Sequence, residues 1–498
     1  MDASPLIETF KSLSKKERRD LSKWVRSPFF NQRQDVIRLF DHLDNYFKNT
    51  ASGQADTNAL SKKAVFSIVF HEKLAEKAST TTQTQTNGLD YDDSAMRYAM
   101  SFLYSQIKVF LSWNEWAADA RLTKLSLCQA LKKRQLGAIF EHEWAIAHSN
   151  LLGEKERSLT FFWHDHRLRL EQFEWSRAQK RAGGTADLDQ VGASFGAYVA
   201  ANVLRQGCAV LSQQAVSRLA DLTKIDFLEA TLSAVEAGRW ADLAAVQLYF
   251  HGFRALQNPE DAAHFYEFKK WLNSHGQAFP PAELRDLWML AINYSIRRVN
   301  AGEASFFRDA FELYRSGLSN RVLLEDGQLS PFTYKNVLHL GMSLSEWDWC
   351  GQFLEEYRSY LPKKERENIY RVNLASFYFR QNDFEKTLDL LRFAEFRDPM
   401  ISLDQRRMLL KIYFQKQEIT ALESLLQSFE TYLRRRGDAV GYHRESFVNL
   451  VKFVKKLLKI NLHDNAAREK FRMSVQSAKF LAEREWLLSV VEIRGEVR

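Results

Sequence analysis

Histidine and carboxylate pairs are the residues in this chain whose types could hold a metal ion. His142-Glu143 is followed by His148, and His164-Asp165-His166 lies further along. A helical zinc motif needs two histidines four residues apart, so that both imidazoles project from one face. His142 and His148 are six apart and diverge by roughly 120° on a helix of about 3.6 residues per turn. We therefore expect surface histidines here and no metal site.

The sequence contains no short catalytic or phosphate-binding motif. It lacks a Walker-type glycine loop, Gly-x-Gly-x-x-Gly and Gly-x-Ser-x-Gly. Cys128, Cys208 and Cys350 are far apart and form no Cys-x-x-Cys pair, which indicates reduced thiols in a cytosolic protein. These patterns favour a non-catalytic protein without a cofactor. An enzyme of a class that leaves no short motif stays open as an alternative.

The composition indicates the fold class. The chain has 498 residues, of which 45% are apolar and 27% charged, with only 8 Pro and 20 Gly. Because Pro and Gly interrupt regular elements and mark turns and long loops, their scarcity favours helices joined by short turns. No apolar run approaches the roughly 18–20 residues that span a bilayer, and the first residues do not read as a secretory signal. We expect an all-α, cytoplasmic protein without a membrane span.

Two breaks divide the helical pattern. The polar run near residues 78–90 contains almost no core-forming side chain and predicts a mobile loop. A second break lies at 181–192, where glycines interrupt two helical patterns. We predict an N-terminal helical domain over residues 1–185 and a second region over 193–498. In this second region helices and short turns alternate, and no period-two pattern predicts a sheet.

The stretch 368–401 predicts a pair of amphipathic helices. Leu374, Ala375 and Tyr378 lie on one helical face, and the second helix carries Leu388 and Leu391. Such a pair cannot bury its apolar faces alone and needs stacked neighbours. We therefore expect Tyr378 and Leu391 to be buried between helices.

Neighbouring stretches repeat this pattern. Ser345-Glu346-Trp347 matches Asn382-Asp383-Phe384, and Trp347 to Pro362 has the same spacing as Phe384 to Pro399. Downstream, Leu409-Leu410-x-x-Tyr413 begins a third unit.

These units resemble tetratricopeptide repeats. Leu374-Ala375-x-x-Tyr378 fits the first helix of that pattern and Pro399 its terminating proline, whereas Arg371, Thr387 and Leu391 replace its Trp, Ala and Phe. The resemblance implies an α-solenoid of TPR-like helical hairpins over 193–498. In such repeats the first helix of each pair lines a concave surface that receives a peptide. The implied groove positions in the best-matched unit are Val372, Ser376, Phe379 and Arg380.

Positive charge is concentrated toward the end of the chain. Residues 431–498 hold 15 Lys and Arg against 8 Asp and Glu. Four lysines recur at i, i+3, i+4 and i+7 on one helical face, opposite Leu450, Val454, Leu457 and Leu458. We predict a basic amphipathic helix that ends the solenoid. Its lysine face either keeps that end of the solenoid soluble or binds a polyanion. The candidate basic residues are Lys452, Lys455, Lys456, Lys459, Arg434, Arg435 and Arg436.

Together these patterns favour a non-catalytic scaffold that binds another protein through a helical-repeat surface. A nucleic-acid-associated or regulatory protein that uses the basic C-terminal region is the alternative. The sequence leaves open whether the groove is occupied by another segment of the same chain.

Overall fold

The structure is a computed structural model that describes residues 4–51, 60–71, 91–179, 185–214, 225–392, 398–436, 441, 443–461 and 464–496. Most of these residues are helical and almost none lie in strands, which confirms the predicted all-α fold. The loop predicted near 78–90 lies almost entirely outside these ranges, since residues 72–90 are not among them. None of the described helices is both long enough and apolar enough to cross a membrane.

The chain divides into two compact units. The first comprises residues 1–154 and 160–196, and the second comprises residues 155–159 and 197–498. The division at 196–197 falls inside a helix that begins at Thr185, beyond the glycine-containing stretch where the sequence suggested a break. Gly192 itself lies within this helix.

The first unit begins with short, strongly capped helices. At the second helix, Ser14 Oγ accepts from Glu17 N–H at 3.2 Å, and the Glu17 carboxylate accepts from Ser14 N–H at 2.7 Å. This reciprocal pair is a capping box. The helices up to the division are α1 (Pro5–Ser12), α2 (Lys15–Arg26), α3 (Gln34–Ala51), α4 (Lys62–Val69), α5 (Asp93–Ala118), α6 (Ala120–Lys133), α7 (Gly137–Gly153), α8 (Leu159–Ala178) and α9 (Thr185–Gln214).

The second unit continues in helices joined by short turns. Several begin with proline at the first helical position, where its missing N–H costs no hydrogen bond. They are α10 (Leu228–Glu236), α11 (Ala244–Gln257), α12 (Ala263–His275), α13 (Pro281–Asn300), α14 (Ser305–Ser319), α15 (Pro331–Ser343), α16 (Trp347–Tyr357), α17 (Arg366–Arg380), α18 (Phe384–Leu391), α19 (Pro399–Gln415), α20 (Ile419–Arg435), α21 (His443–Leu457), α22 (Asn465–Ser477) and α23 (Arg484–Glu496).

Helices α15 to α20 pack as antiparallel pairs. The Tyr334 hydroxyl donates to the Leu354 carbonyl at 2.8 Å, and Leu338 lies opposite Cys350, so α15 and α16 run in opposite directions. The first helices of successive pairs, α15, α17 and α19, also contact one another in turn. This is the packing expected of helical hairpins. A continuous solenoid over 193–498 stays a prediction.

One turn recurs between the helices of these three pairs. Ser345, Asn382 and Gln417 adopt left-handed φ angles of 60°, 62° and 59°. In each case the N–H of the next residue donates to the carbonyl five positions earlier, which closes the end of the first helix. These bonds join Glu346 to Gly341 (2.9 Å), Asp383 to Tyr378 (3.0 Å) and Glu418 to Tyr413 (2.9 Å). The three helix pairs that the sequence aligned therefore share the geometry of this turn.

A small hairpin departs from the expectation of no sheet. Strands β1 (Leu324–Glu325) and β2 (Gln328–Leu329) pair antiparallel between α14 and α15. Asp326 and Gly327 form the turn with φ angles of 49° and 74°, as a type I′ turn requires. Two-residue strands are too short to give a period-two pattern. The Asp326-Gly327 pair is the sequence feature that could have predicted this hairpin.

Candidate functional site

The first helices of the three hairpins enclose two adjoining cavities. One has a volume of about 130 Å³ and is lined by α15, α17 and α19, including Val372 and Ser376. Its apolar lining consists of Pro331, Phe332, Leu338, Met342, Ile369, Val372, Met400, Ile401 and Met408. Its polar lining consists of Lys335, His339, Asn373, Ser376, Asp398, Asp404 and Arg407.

The second cavity has a volume of about 210 Å³ and is lined by Ser376, Phe379 and Arg380 of α17. The remaining lining residues come from α15, α19 and the residue before α23, namely His339, Arg407, Met408, Lys411 and Glu483. Both cavities share His339, Ser376, Arg407 and Met408. We call the two cavities together the groove.

The groove residues implied by the resemblance differ in their accessibility. Val372 is 6% exposed and belongs to the floor, Ser376 and Phe379 are half-buried, and Arg380 is exposed. Beside them the buried Asn373 donates from Nδ2 to the Ile369 carbonyl at 2.8 Å. The structure thus places all four residues in the lining of the groove, while their role in binding stays a prediction.

The sequence reasoning missed the groove residues on α15 and α19. The shared turns align Ser345, Asn382 and Gln417, so the neighbouring units carry equivalents of Val372 and Ser376. These equivalents are Lys335 and His339 on α15, and Arg407 and Lys411 on α19. All four line the groove. Extending the two positions to the adjacent units would have found them.

Ion pairs cross the groove wall. Arg407 donates from Nη1 to Glu483 at 2.8 Å, and its Nη2 lies 3.4 Å from Asp404. Lys411 pairs with the other oxygen of Glu483, and Lys335 pairs with Asp404 across the face of the hairpins. Among the described residues, no ion pair joins Arg380 to a carboxylate. The groove therefore combines an apolar floor with a cationic end.

His339 stays neutral in these surroundings. Its side chain is exposed into the groove, but the surrounding walls hinder hydration of its charged form and lower the pKa of the imidazole. The nearby cations Arg380, Arg407 and Lys335 lower the pKa further. At neutral pH the ring is therefore a neutral hydrogen-bonding group with one donor and one acceptor nitrogen.

The two residues expected to form the repeat core behave differently. Leu391 is 0% exposed and belongs to the cluster formed by α17 to α23. Tyr378 is only half-buried, and the Lys386 ammonium lies 4.9 Å from the centre of its ring. The expectation of a buried Tyr378 is wrong because this residue lies beside the turn, where the two helices no longer cover it.

The basic residues lie at two places along α20 and α21. Lys452, Lys456 and Lys459 are exposed, whereas Lys455 is partly buried and pairs with Glu430 at 2.7 Å. Because α21 ends at Leu457, Lys459 lies in the following turn and the prediction of four lysines on one helix is wrong there. Leu450, Val454 and Leu457 are buried, but Leu458 is only half-buried. Arg434, Arg435 and Arg436 are exposed at the C-terminal end of α20. Since α22 and α23 follow, the basic helix is not the last element.

The histidines considered for metal binding form structural contacts in the first unit. His148 Nε2 lies 3.2 Å from Asp165, which also accepts from Arg169 Nε at 2.9 Å. His142 is exposed, but His164 is 2% exposed, so the expectation of surface histidines is wrong there. Within the described residues, no group of three His, Cys, Asp or Glu side chains could hold a metal ion.

All three cysteines are free and buried. Burial raises the pKa of Cys128 to about 11 and that of Cys350 to about 12, and it raises the pKa of Cys208 as well. These thiols stay protonated at neutral pH and have no access to a reactant.

No protein-family model matches the chain, and no curated protein or solved structure matches it either.

Proposed function

We propose that this chain is a non-catalytic, TPR-like interaction scaffold that binds an extended segment of a partner protein in the groove. The observation that carries the proposal is a cavity pair with an apolar floor and a cationic end, lined by the first helices of three successive hairpins. The same proposal places the protein in the cytoplasm, and its three free cysteines support this location.

The shape and chemistry of the groove suit a peptide. Apolar side chains of an extended segment would fill the floor between α15, α17 and α19. Polar groups at the wall would fix its orientation, among them His339, Ser376 and Arg380. A segment that occupies both adjoining cavities would contact residues of all three helices, from Phe332 on α15 to Lys411 on α19.

Filling the groove is expected to weaken this binding. Replacing Ser376 with tryptophan places an indole where both cavities meet, so affinity should fall by at least about tenfold, or about 1.4 kcal/mol. A library of random dodecapeptides displayed on phage would be selected on the wild-type chain. Fluorescence anisotropy would then compare the enriched peptides on the wild type and on Ser376→Trp.

The matched control is Arg371→Trp, which adds the same side chain to the same helix at an exposed position that lines neither cavity. This variant should bind like the wild type. Failure to enrich any peptide, or equal binding by Ser376→Trp, would overturn the proposal.

A second candidate function is binding of nucleic acid by the basic face. It is favoured by the exposure of Lys452 and Lys456 on α21 and of Lys459 in the turn that follows this helix. Lysines that neutralise phosphates release counterions, so binding of this kind weakens steeply with salt.

Charge reversal on this face gives a separate prediction. The double variant Lys452→Glu with Lys459→Glu should weaken binding to a 20-nucleotide single-stranded RNA by about tenfold at low salt. The control reverses two exposed lysines before α17, Lys363 and Lys364. Equal affinities of both double variants would assign any RNA binding to overall charge, and no binding by the wild type would end this candidate.

A further inference from the structure

A carboxylate of this chain already occupies the cationic end of the groove. Glu483 precedes α23, and only 15% of its side chain is exposed. It accepts from Arg407 Nη1 at 2.8 Å and pairs through its second oxygen with Lys411. Both cations lie on α19 and line the second cavity together with Glu483.

This carboxylate is charged at neutral pH. Burial acts to raise the pKa of Glu483, but Arg407 and Lys411 outweigh burial and hold the pKa below its ordinary value. Burial lowers the pKa of Lys411 in spite of its pairing, whereas the pKa of Arg407 is raised.

Apolar contacts hold α23 in place independently of Glu483. The ring centres of Trp486 and Phe414 lie 5.4 Å apart in an edge-to-face arrangement. Leu487 and Val491 are 0% and 1% exposed within the core of the second unit. The Glu483 backbone is also strained, with a φ of 57°. The side chain can therefore leave Arg407 and Lys411 while the helix stays docked.

A vacated site would offer more cations than carboxylates. Arg380 lines the same cavity, is exposed, and has no ion pair with any described carboxylate. Once Glu483 withdraws, Arg380, Arg407 and Lys411 face the cavity with no carboxylate among its lining residues. Paired arginines and lysines suit an incoming carboxylate by charge-assisted hydrogen bonds.

We propose that the groove selects an acidic segment, and that Glu483 is its internal competitor. This inference rests on the proposed function of the groove. A carboxylate of the partner takes the place of Glu483 on Arg407 and Lys411, and Arg380 adds a third contact. The apparent affinity is then set by the fraction of molecules in which Glu483 has withdrawn.

The test uses the full chain and two fluorescein-labelled octapeptides. One is Ser-Leu-Glu-Met-Glu-Leu-Glu-Ser, and the other has Gln in place of every Glu. Glu483→Gln should bind the acidic peptide about fivefold or more tightly than the wild type, because the internal carboxylate no longer competes. The glutamine peptide should bind both proteins weakly and equally.

Two further variants identify the site. Glu485→Gln removes an exposed carboxylate from the first turn of the same helix and should bind like the wild type. Adding Lys411→Gln to Glu483→Gln should remove the gain, because the incoming carboxylate loses a cation. Circular dichroism of each variant checks that the helices are retained.

The outcomes separate this inference from the proposed function. If Glu483→Gln gives no gain, or if both peptides bind alike, the inference is overturned while the library selection still decides the proposed function. If the library enriches peptides without acidic residues, the groove binds peptides and Glu483 is only structural. A gain that persists without Lys411 also overturns the inference.

Discussion

Replacing Leu391 with alanine is expected to lower the free energy of unfolding by about 2–5 kcal/mol. Leu391 is the last residue of α18, and its side chain is fully buried in the cluster formed by α17 to α23. Its removal leaves a cavity that the fixed backbone cannot close, because the Leu391 carbonyl is held by the Gln405 side chain at 2.7 Å. Urea denaturation followed by circular dichroism would measure the loss.

The matched control for this truncation is Asp389→Ala, an exposed position on the same helix. Its effect should stay within about 0.5 kcal/mol. If Leu391→Ala unfolds at the same urea concentration as the wild type, the residue does not belong to the core, and the alignment of the second helix of the repeat is wrong.

Adding a single methyl group at Gly341 is expected to cost about 1–3 kcal/mol. A Cβ atom there would lie 2.5 Å from Cys350 Sγ and 3.1 Å from the Phe311 ring, so α15 and its neighbours would have to separate. Thermal unfolding of Gly341→Ala would measure the cost. In a Cys350→Ala background the same substitution should cost about 1 kcal/mol less, because the closest clash is gone.

Gly351 provides the matched control for the methyl group. It lies within α16, and an added Cβ would meet only the Phe377 ring at 3.9 Å. Gly351→Ala should therefore stabilise the chain by about 0.5–1 kcal/mol through helix propensity. Additive effects of the Gly341 and Cys350 substitutions would show that the close contact carries no energy.

Local patterns in the sequence predict much of the second unit. Turn residues mark the starts of α16 and α18, and a proline marks the start of α19. These helix starts are predictable because they depend only on residues within about six positions along the chain. The aligned turns also relate Val372 to Lys335 and Arg407. Helix order and groove-facing positions are thus accessible without a structure.

Contacts between distant segments were not predictable in the same way. Glu483 reaches Arg407 across 76 positions, and no pattern around Glu483 distinguishes it from Glu485. The spacing of Lys455 predicts an exposed lysine, because it indicates the helical face that Lys455 shares with the other lysines but not its partner Glu430. His164 is likewise buried, at 2% exposure, although the residues around it in the sequence give no indication of this.

The three buried cysteines have a practical consequence for spectroscopy. Thiol reagents react with thiolates that are exposed to solvent. Cys128, Cys208 and Cys350 are buried, and their raised pKa values keep the thiols protonated, so none of the three should react. The wild-type chain can therefore serve directly as an unreactive background for maleimide dyes. A cysteine introduced at an exposed position beside the groove, such as Gln381→Cys, would carry the only label. Its emission would report groove occupancy in real time without removal of any native thiol.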